Sequence, residues 1–283
     1  MTLVTSPRDE QGVPAAGRAG RRYRTRSLSR GPVGAVVLPV IGVVLFLVAW
    51  WLLTTVSGVN INLIPPPGHV LNAFLQLPGY LMSQSVTTLV EVLEGFVLAV
   101  VTGALIALAL VSSPVLERMT YPLLLAVNSV PKVAVAPLLV LWMGFGQLPK
   151  VIMVLLVCFF PVVLSTVAGL TSTPAEFIEL ARSLEAARWR AFVKIRIPSA
   201  LPQVFVGLKL AMSLAVIGAV ISEFQAGTVA GLGFVISTSS GQMDTAQAFA
   251  AIAILGVMSI VLFYALVALE RVLIPWARPA ARS

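Results

Sequence analysis

Six long apolar runs set what this chain can become. They cover Val33–Val56, Thr87–Val111, Leu116–Phe145, Leu148–Leu170, Gln203–Phe224 and Thr245–Leu269. A helix rises about 1.5 Å per residue, so about 20 residues cross the ~30 Å hydrocarbon core of a bilayer. Backbone polar groups find no water there, and a helix satisfies them internally. The expectation is an all-α, polytopic membrane protein with six transmembrane helices. Composition agrees: 58% of the 283 residues are apolar and 11% are charged, against about 25% charged in soluble domains. The first run is too long and starts too late for a signal-peptide core, so it reads as an uncleaved span. The third is long for one straight helix, and Pro131 and Pro137 predict a kink or break in it.

The net charge of +8 orients the chain rather than marking a nucleic-acid binder, because the positive charges cluster in a few hydrophilic segments. With six spans and an inside N-terminus, the inside segments hold sixteen Lys and Arg residues and the outside loops hold one, Lys150. This imbalance follows the positive-inside rule and predicts cytoplasmic N- and C-termini. Residues 1–32, rich in Arg, Gly and Pro, read as a disordered basic tail. Residues 33–275 form the membrane domain, 171–200 a cytoplasmic segment within it, and 276–283 a second cytoplasmic tail. On the outside, Pro65-Pro66-Pro67-Gly68-His69 predicts a stiff extended stretch. Gly231-Leu232-Gly233 predicts a tight turn into a short segment that dips back toward the membrane.

Residues able to carry chemistry are sparse. Cys158 and His69 are the sole Cys and His, which excludes an internal disulfide and a His/Cys metal site. Cys158, in an apolar run, reads as a packed small residue. His69 lies in the Pro-rich loop. An intramembrane enzyme would need a nucleophile–base pair or a metal inside the bilayer, and a secondary transporter usually has more spans and intramembrane carboxylates. Lys132 falls deep in the third run, and an ionisable residue at depth is a candidate functional site. It either attracts an anion along a pathway, caps carbonyls freed by Pro131 and Pro137, or pairs with Glu223. Glu91 and Glu94, three apart near the outer end of the second run, read as water-accessible carboxylates for packing or docking rather than acid–base catalysis. Gly95, Ala99 and Gly103 follow at four-residue spacing and suit close helix contact.

The most informative polar segment is residues 179–198, Glu-Leu-Ala-Arg-Ser-Leu-Glu-Ala-Ala-Arg-Trp-Arg-Ala-Phe-Val-Lys-Ile-Arg-Ile-Pro. Before it, Thr173, Pro174 and Glu176 carry a helix-start signature with a capping box. Phe177, Ile178, Ala181 and Leu184 then fall at helical spacing. A second amphipathic stretch runs around Trp189, Phe192, Val193 and Ile197, bounded by Pro198 and Pro202, which start the fifth span. Two short helices joined by a turn, with an apolar face needing cover, suit either a lipid surface or a protein partner.

This segment resembles the cytoplasmic loop of permease subunits of bacterial ATP-binding-cassette importers. That family's pattern is Glu-Ala-Ala, three residues, Gly, nine residues, Ile, one residue, Leu, Pro. Glu179, Ala181, Ile195 and Pro198 fit it, Leu180 and Ile197 are mild replacements, and Glu185 stands where the family has Gly. Asn128–Leu138 followed by Leu141–Gly146, Glu223 with Gly231-Leu232-Gly233, and Ile64–Pro67 are similar to the nitrate/sulfonate/taurine branch. The resemblance covers roughly residues 60 to 270.

The resemblance implies the type I importer permease fold, with coupling helices between spans four and five. It implies a permease dimer, two ATPase subunits that bind ATP and Mg, and an extracytoplasmic substrate-binding protein. The chain has no Gly-x-x-x-x-Gly-Lys-Ser/Thr loop, so ATP hydrolysis is expected on the partner and no cofactor on this chain. Phe177, Ala181 and Leu184 are then expected to fill a groove on the ATPase, and Glu179 and Arg182 to pair on its rim. Glu185 calls either for a turn rebuilt without positive φ or for a partner that supplies a basic residue. Lys132 and Glu223 are the candidate pathway residues. The branch implies a small anion such as nitrate, a sulfonate or taurine. Similar permeases carry thiamine-precursor pyrimidines, riboflavin or other aromatic compounds.

Overall fold

The computed structural model describes residues 32–277 apart from 57, 59, 186, 226 and 227; the two terminal tails read from the sequence fall largely outside these. The described residues form helices α1 (Pro32–Val56), α2 (Pro67–Gln76), α3 (Pro78–Ser112), α4 (Pro114–Ser129), α5 (Lys132–Met143) and α6 (Gln147–Thr171). They continue with α7 (Ala175–Ser183), α8 (Arg188–Ala191), α9 (Ile197–Glu223), α10 (Leu232–Gly241) and α11 (Thr245–Leu273). Five helices are long and apolar enough to cross a bilayer, and the pair α4 and α5 makes a sixth, broken candidate bent by 89°. The residues up to Ala49 form one unit and those from Trp50 onward another. In the first unit α1 presents exposed apolar side chains from Val37 to Val48. The rest of the description concerns the second unit.

The break in the third run falls at Val130–Pro131, between Ser129 and Lys132. Pro131 has no N–H to give to an α4 carbonyl. Pro137 does not interrupt the chain, contrary to expectation; it sits inside α5. The second span is longer than its apolar run suggested, because the helix already begins at Pro78. The Pro-rich stretch is extended only up to Pro66, and His69 lies in the first turn of α2 rather than in a loop.

Helices α3, α6 and α9 pack at the centre. Lipid is as apolar as a leucine side chain, so association in a bilayer depends on close van der Waals contact and interhelical hydrogen bonds. Small residues supply the closeness. Ala99 and Ala107 on α3, and Ala211, Ala215 and Ala219 on α9, are fully buried. A Cβ added at Gly95 would overlap Val154 of α6, and one at Gly103 would come within 2.8 Å of Val162. On α9, a Cβ at Gly207 would overlap Ser165 of α6. The thiol of Cys158 donates to the carbonyl of Ala211 at 3.1 Å, an α6–α9 contact only closely approaching backbones can make. Around this core, α5 packs through Ala136 and Leu139 onto Met153 and Val157 of α6. An ion pair between Lys209 of α9 and Glu270 of α11, at 2.9 Å, ties the last long helix to the bundle.

Substituting Gly207→Val should therefore destabilise the fold by about 1–3 kcal/mol, the usual cost of overpacking. Gly256→Val meets nothing within 4 Å and should leave stability near wild type. Thermal unfolding of the detergent-solubilised variants compares the two.

Candidate functional site

The segment between α6 and α9 turns out to be one short helix followed by an extension of α9. Helix α7 begins at Ala175, after Pro174. The expected capping box is not formed: the Thr173 hydroxyl is buried without a hydrogen-bond partner among the described residues. The second amphipathic stretch does not stop at Pro198. Helix α8 passes through a π-helical turn, Phe192–Arg196, into α9. Pro198 lies in the first turn of α9, where its missing N–H costs little. A continuous apolar helical path of 35 residues thus runs from Trp189 to Glu223.

Burial divides the expected docking residues. Ala181 is 5% exposed and faces the protein, and Ile178 is half-buried beside it. Phe177, Leu180 and Leu184 are 51%, 58% and 72% exposed. These three lie at i, i+3 and i+7 and form one apolar stripe. Ala181 therefore does not belong to the exposed face, and Leu180, which the sequence offered only as a replaced Ala, does. Glu179 is exposed, Ile195 and Pro198 are half-buried, and the Arg182 side chain lies outside the described residues. Trp189, 72% exposed, stacks on Phe192 with ring centroids 6.1 Å apart.

Glu185 has φ 53°, which is the left-handed region. The turn is not rebuilt without positive φ. It keeps the geometry that suits Gly and accepts a Glu, at a cost of about 1–2 kcal/mol.

At the opposite end of α9 lies a buried polar cluster that reading the sequence did not assemble. Glu223, 1% exposed, receives the Thr88 hydroxyl at 2.7 Å and the Gly233 N–H at 2.6 Å. Thr88 in turn accepts from the N–H of Leu232 at 2.8 Å, and Gln84 accepts from the N–H of Gly231 at 2.6 Å. A side-chain carboxylate at the start of α10 meets its free N–H groups and the positive end of its dipole. The glycines follow from this fit. A Cβ at Gly231, whose φ is +109°, would overlap the Glu223 carboxyl group, and one at Gly233 would come within 2.8 Å of it.

Lys150 completes the cluster. It was expected as a lone outer-loop charge, but it is buried in the first turn of α6. Its ammonium pairs with Glu91 at 2.7 Å and donates to the carbonyl of Ala230 at 3.0 Å. Glu91 is 2% exposed rather than water-accessible; Glu94 beyond it accepts from Gln147 at 2.6 Å. Lys132 does not pair with Glu223. It donates to the carbonyl and side-chain oxygens of Asn128 at 3.1 and 2.8 Å, so its charge is used at the α4–α5 break. One signal for the cluster was present in the sequence: Glu91, Lys150 and Glu223 are charges at the same end of the second, fourth and fifth spans.

With this geometry described, comparison with known proteins decides the family. Residues 95–279 match the family described as binding-protein-dependent transport system inner membrane component. The chain belongs to this family. It is 38% identical to a riboflavin transport system permease protein of Chloroflexus aurantiacus, over 89% of this chain and 94% of the relative. It is 33% identical to a formylaminopyrimidine transport permease protein of Halalkalibacterium halodurans, over 85% and 96%. It is 29% identical to a taurine transport system permease protein of Escherichia coli, over 87% and 92%. The MetNI methionine transporter in an inward-facing conformation shares the fold, with TM-score 0.56 at 16% identity, covering 69% of this chain and 95% of that one. The chain is thus a non-catalytic permease subunit of an ATP-binding-cassette importer, and ATP is used by separate ATPase subunits.

Removing one partner of a buried ion pair strands the other charge, at a cost of about 3–5 kcal/mol. Lys150→Met should lower the unfolding temperature sharply, and adding Glu91→Gln to it should recover most of the loss. A double-mutant cycle by thermal unfolding in detergent measures this coupling.

Proposed function

We propose that the exposed stripe Phe177–Leu180–Leu184 is the surface on which an ATPase subunit docks. The observation that carries this reading is the division of α7. Ala181 and Ile178 fasten the helix to its own chain, while three large apolar side chains on the neighbouring face have no cover among the described residues. Glu179, exposed on the same helix, and Arg182 would meet charged residues on the ATPase rim. Two permease copies would pair, most simply as a homodimer, over two ATPase subunits that bind ATP and Mg. A substrate-binding protein would deliver cargo on the other side. The excess of basic residues in the expected inside segments supports cytoplasmic termini.

ATP-driven closure of the ATPases would move the docked helices, and with them the spans, switching the pathway between inward-open and outward-open states. The helical path from Trp189 to Glu223 supports this reading, since it joins the docking end to the buried cluster without a break. Substrate choice between a small anion and a heteroaromatic compound turns partly on Lys132. Its ammonium donates to the two oxygens of Asn128, which gives Lys132 a structural role at the α4–α5 break beside any role toward an anion. The riboflavin and formylaminopyrimidine relatives favour the aromatic class.

Co-expression with its partner ATPase tests the docking surface. Leu184→Asp and Leu180→Asp should each weaken co-purification by more than about 2 kcal/mol, the scale of a buried apolar anchor, and abolish ATP-driven uptake. Undiminished co-purification and uptake would refute the assignment. Glu185→Gly separates a tolerated turn from a paired side chain. It should stabilise the permease by up to about 1–2 kcal/mol with ATPase binding intact, whereas weaker ATPase binding would show that Glu185 has a basic partner.

A further inference from the structure

A cleft of about 430 Å³ lies beside α10, at the end of the bundle opposite the docking stripe. Its volume is in the range of small-molecule sites. Tyr80 of α3 and Phe234 of α10 supply aromatic surface, and Thr238, Ser239, Gln242 and Gln247 supply hydroxyl and amide groups. Every one of these side chains is uncharged. The carboxylate nearest along the chain is Asp244, and it is occupied in accepting from the N–H of Gln247.

The walls are fixed in place. The N-terminal end of α10 is held by Glu223, Thr88 and Gln84. At its other end the buried Ser239 hydroxyl bonds the Gln247 amide oxygen at 3.1 Å, and the Asp244 N–H bonds the Ser239 carbonyl at 2.9 Å. The site is thus positioned by the buried cluster, although none of the cluster's charges line it.

We propose that this cleft binds a neutral, planar, hydrogen-bonding heterocycle during its passage. Rings of this kind stack on Tyr and Phe; the Gln242 amide offers both a donor and an acceptor to their edges, and Gln247, whose oxygen is taken by Ser239, offers its N–H groups. A nitrate or sulfonate would find no cation among the lining side chains. The inference rests on the permease reading and names its substrate class.

Its test uses the full chain in nanodiscs with its ATPase. Riboflavin is the two-face aromatic probe, read by quenching of its fluorescence, cytosine is the single-ring probe, and taurine is the anionic comparison. At least one heterocycle should bind saturably, and taurine should not compete. Phe234→Ala and Tyr80→Ala should each weaken binding about tenfold, the scale of one lost stacking contact, while Tyr80→Phe retains it. Thermal unfolding confirms that each variant is folded. Absence of saturable heterocycle binding, binding unchanged by both alanine variants, or competition by taurine would overturn the proposal. ATPase co-purification is scored separately. Its loss with heterocycle binding intact would sink the permease coupling reading and leave the cleft standing, whereas intact coupling without heterocycle binding would do the reverse.

Discussion

Close backbone approach among α3, α6 and α9 is the constraint on which the rest of the architecture depends. Leucine against lipid and leucine against leucine are nearly equivalent in a bilayer, so bulk hydrophobicity cannot hold these spans together. Gly95, Gly103 and Gly207, with the buried alanines of α3 and α9, let the helices come near enough for dispersion and for the Cys158–Ala211 hydrogen bond. A tightly packed bundle also leaves little room for polar groups. Burying a polar group there costs less when it has a partner within the protein, and Glu91, Lys150 and Glu223 each have at least one.

That pairing makes the buried cluster specific. The Glu223 carboxylate accepts from one side chain and one backbone N–H, drawn from two different elements. Lys150 joins α3, α6 and the residues before α10 through Glu91 and Ala230. A small displacement of α10 would break several strong hydrogen bonds at once, so α10 travels with the bundle as one body. Helix α9, with α8 and the π-helical turn that lead into it, gives this body its reach. At about 1.5 Å per residue, the 35 residues from Trp189 to Glu223 span about 50 Å, well beyond the ~30 Å hydrocarbon core. The path from α8 to the buried cluster is therefore one element, and the turn at Glu185 is what joins α7 to it.

Features that depend on local composition were legible in the sequence. The apolar runs gave the spans, Pro131 gave the break, and the spacing of Gly95, Ala99 and Gly103 gave the tight α3 contact. The short helix α7 was legible because its apolar pattern is local and periodic. What local pattern cannot report is which face of a helix its own protein covers. Ala181 and Leu184 looked alike on a helical wheel, yet one is buried and the other is 72% exposed. The buried cluster was hidden for a related reason. Lys150 and Glu91 lie 59 residues apart, and each taken alone looks like a charge at a membrane surface. Glu185 failed in the other direction: steric preference argued for a rebuilt turn, and the fold kept the left-handed geometry with a residue that disfavours it.

These placements also reassign the charges that first suggested a substrate. In an apolar chain each buried ionisable group invites a reading as part of a pathway, and Lys132 and Glu223 were the natural choices. Both are consumed by structure: Lys132 by the Asn128 oxygens at the α4–α5 break, Glu223 by the start of α10. Their substitution would be felt first in stability, so a transport defect in such variants would not by itself identify a substrate contact. Specificity carried by this chain has to come from groups whose hydrogen-bonding capacity is not already spent on the fold. Beside α10 the uncommitted groups are the Gln242 amide, the N–H groups of Gln247 and the faces of Tyr80 and Phe234, and they discriminate by shape and hydrogen-bond pattern rather than by charge.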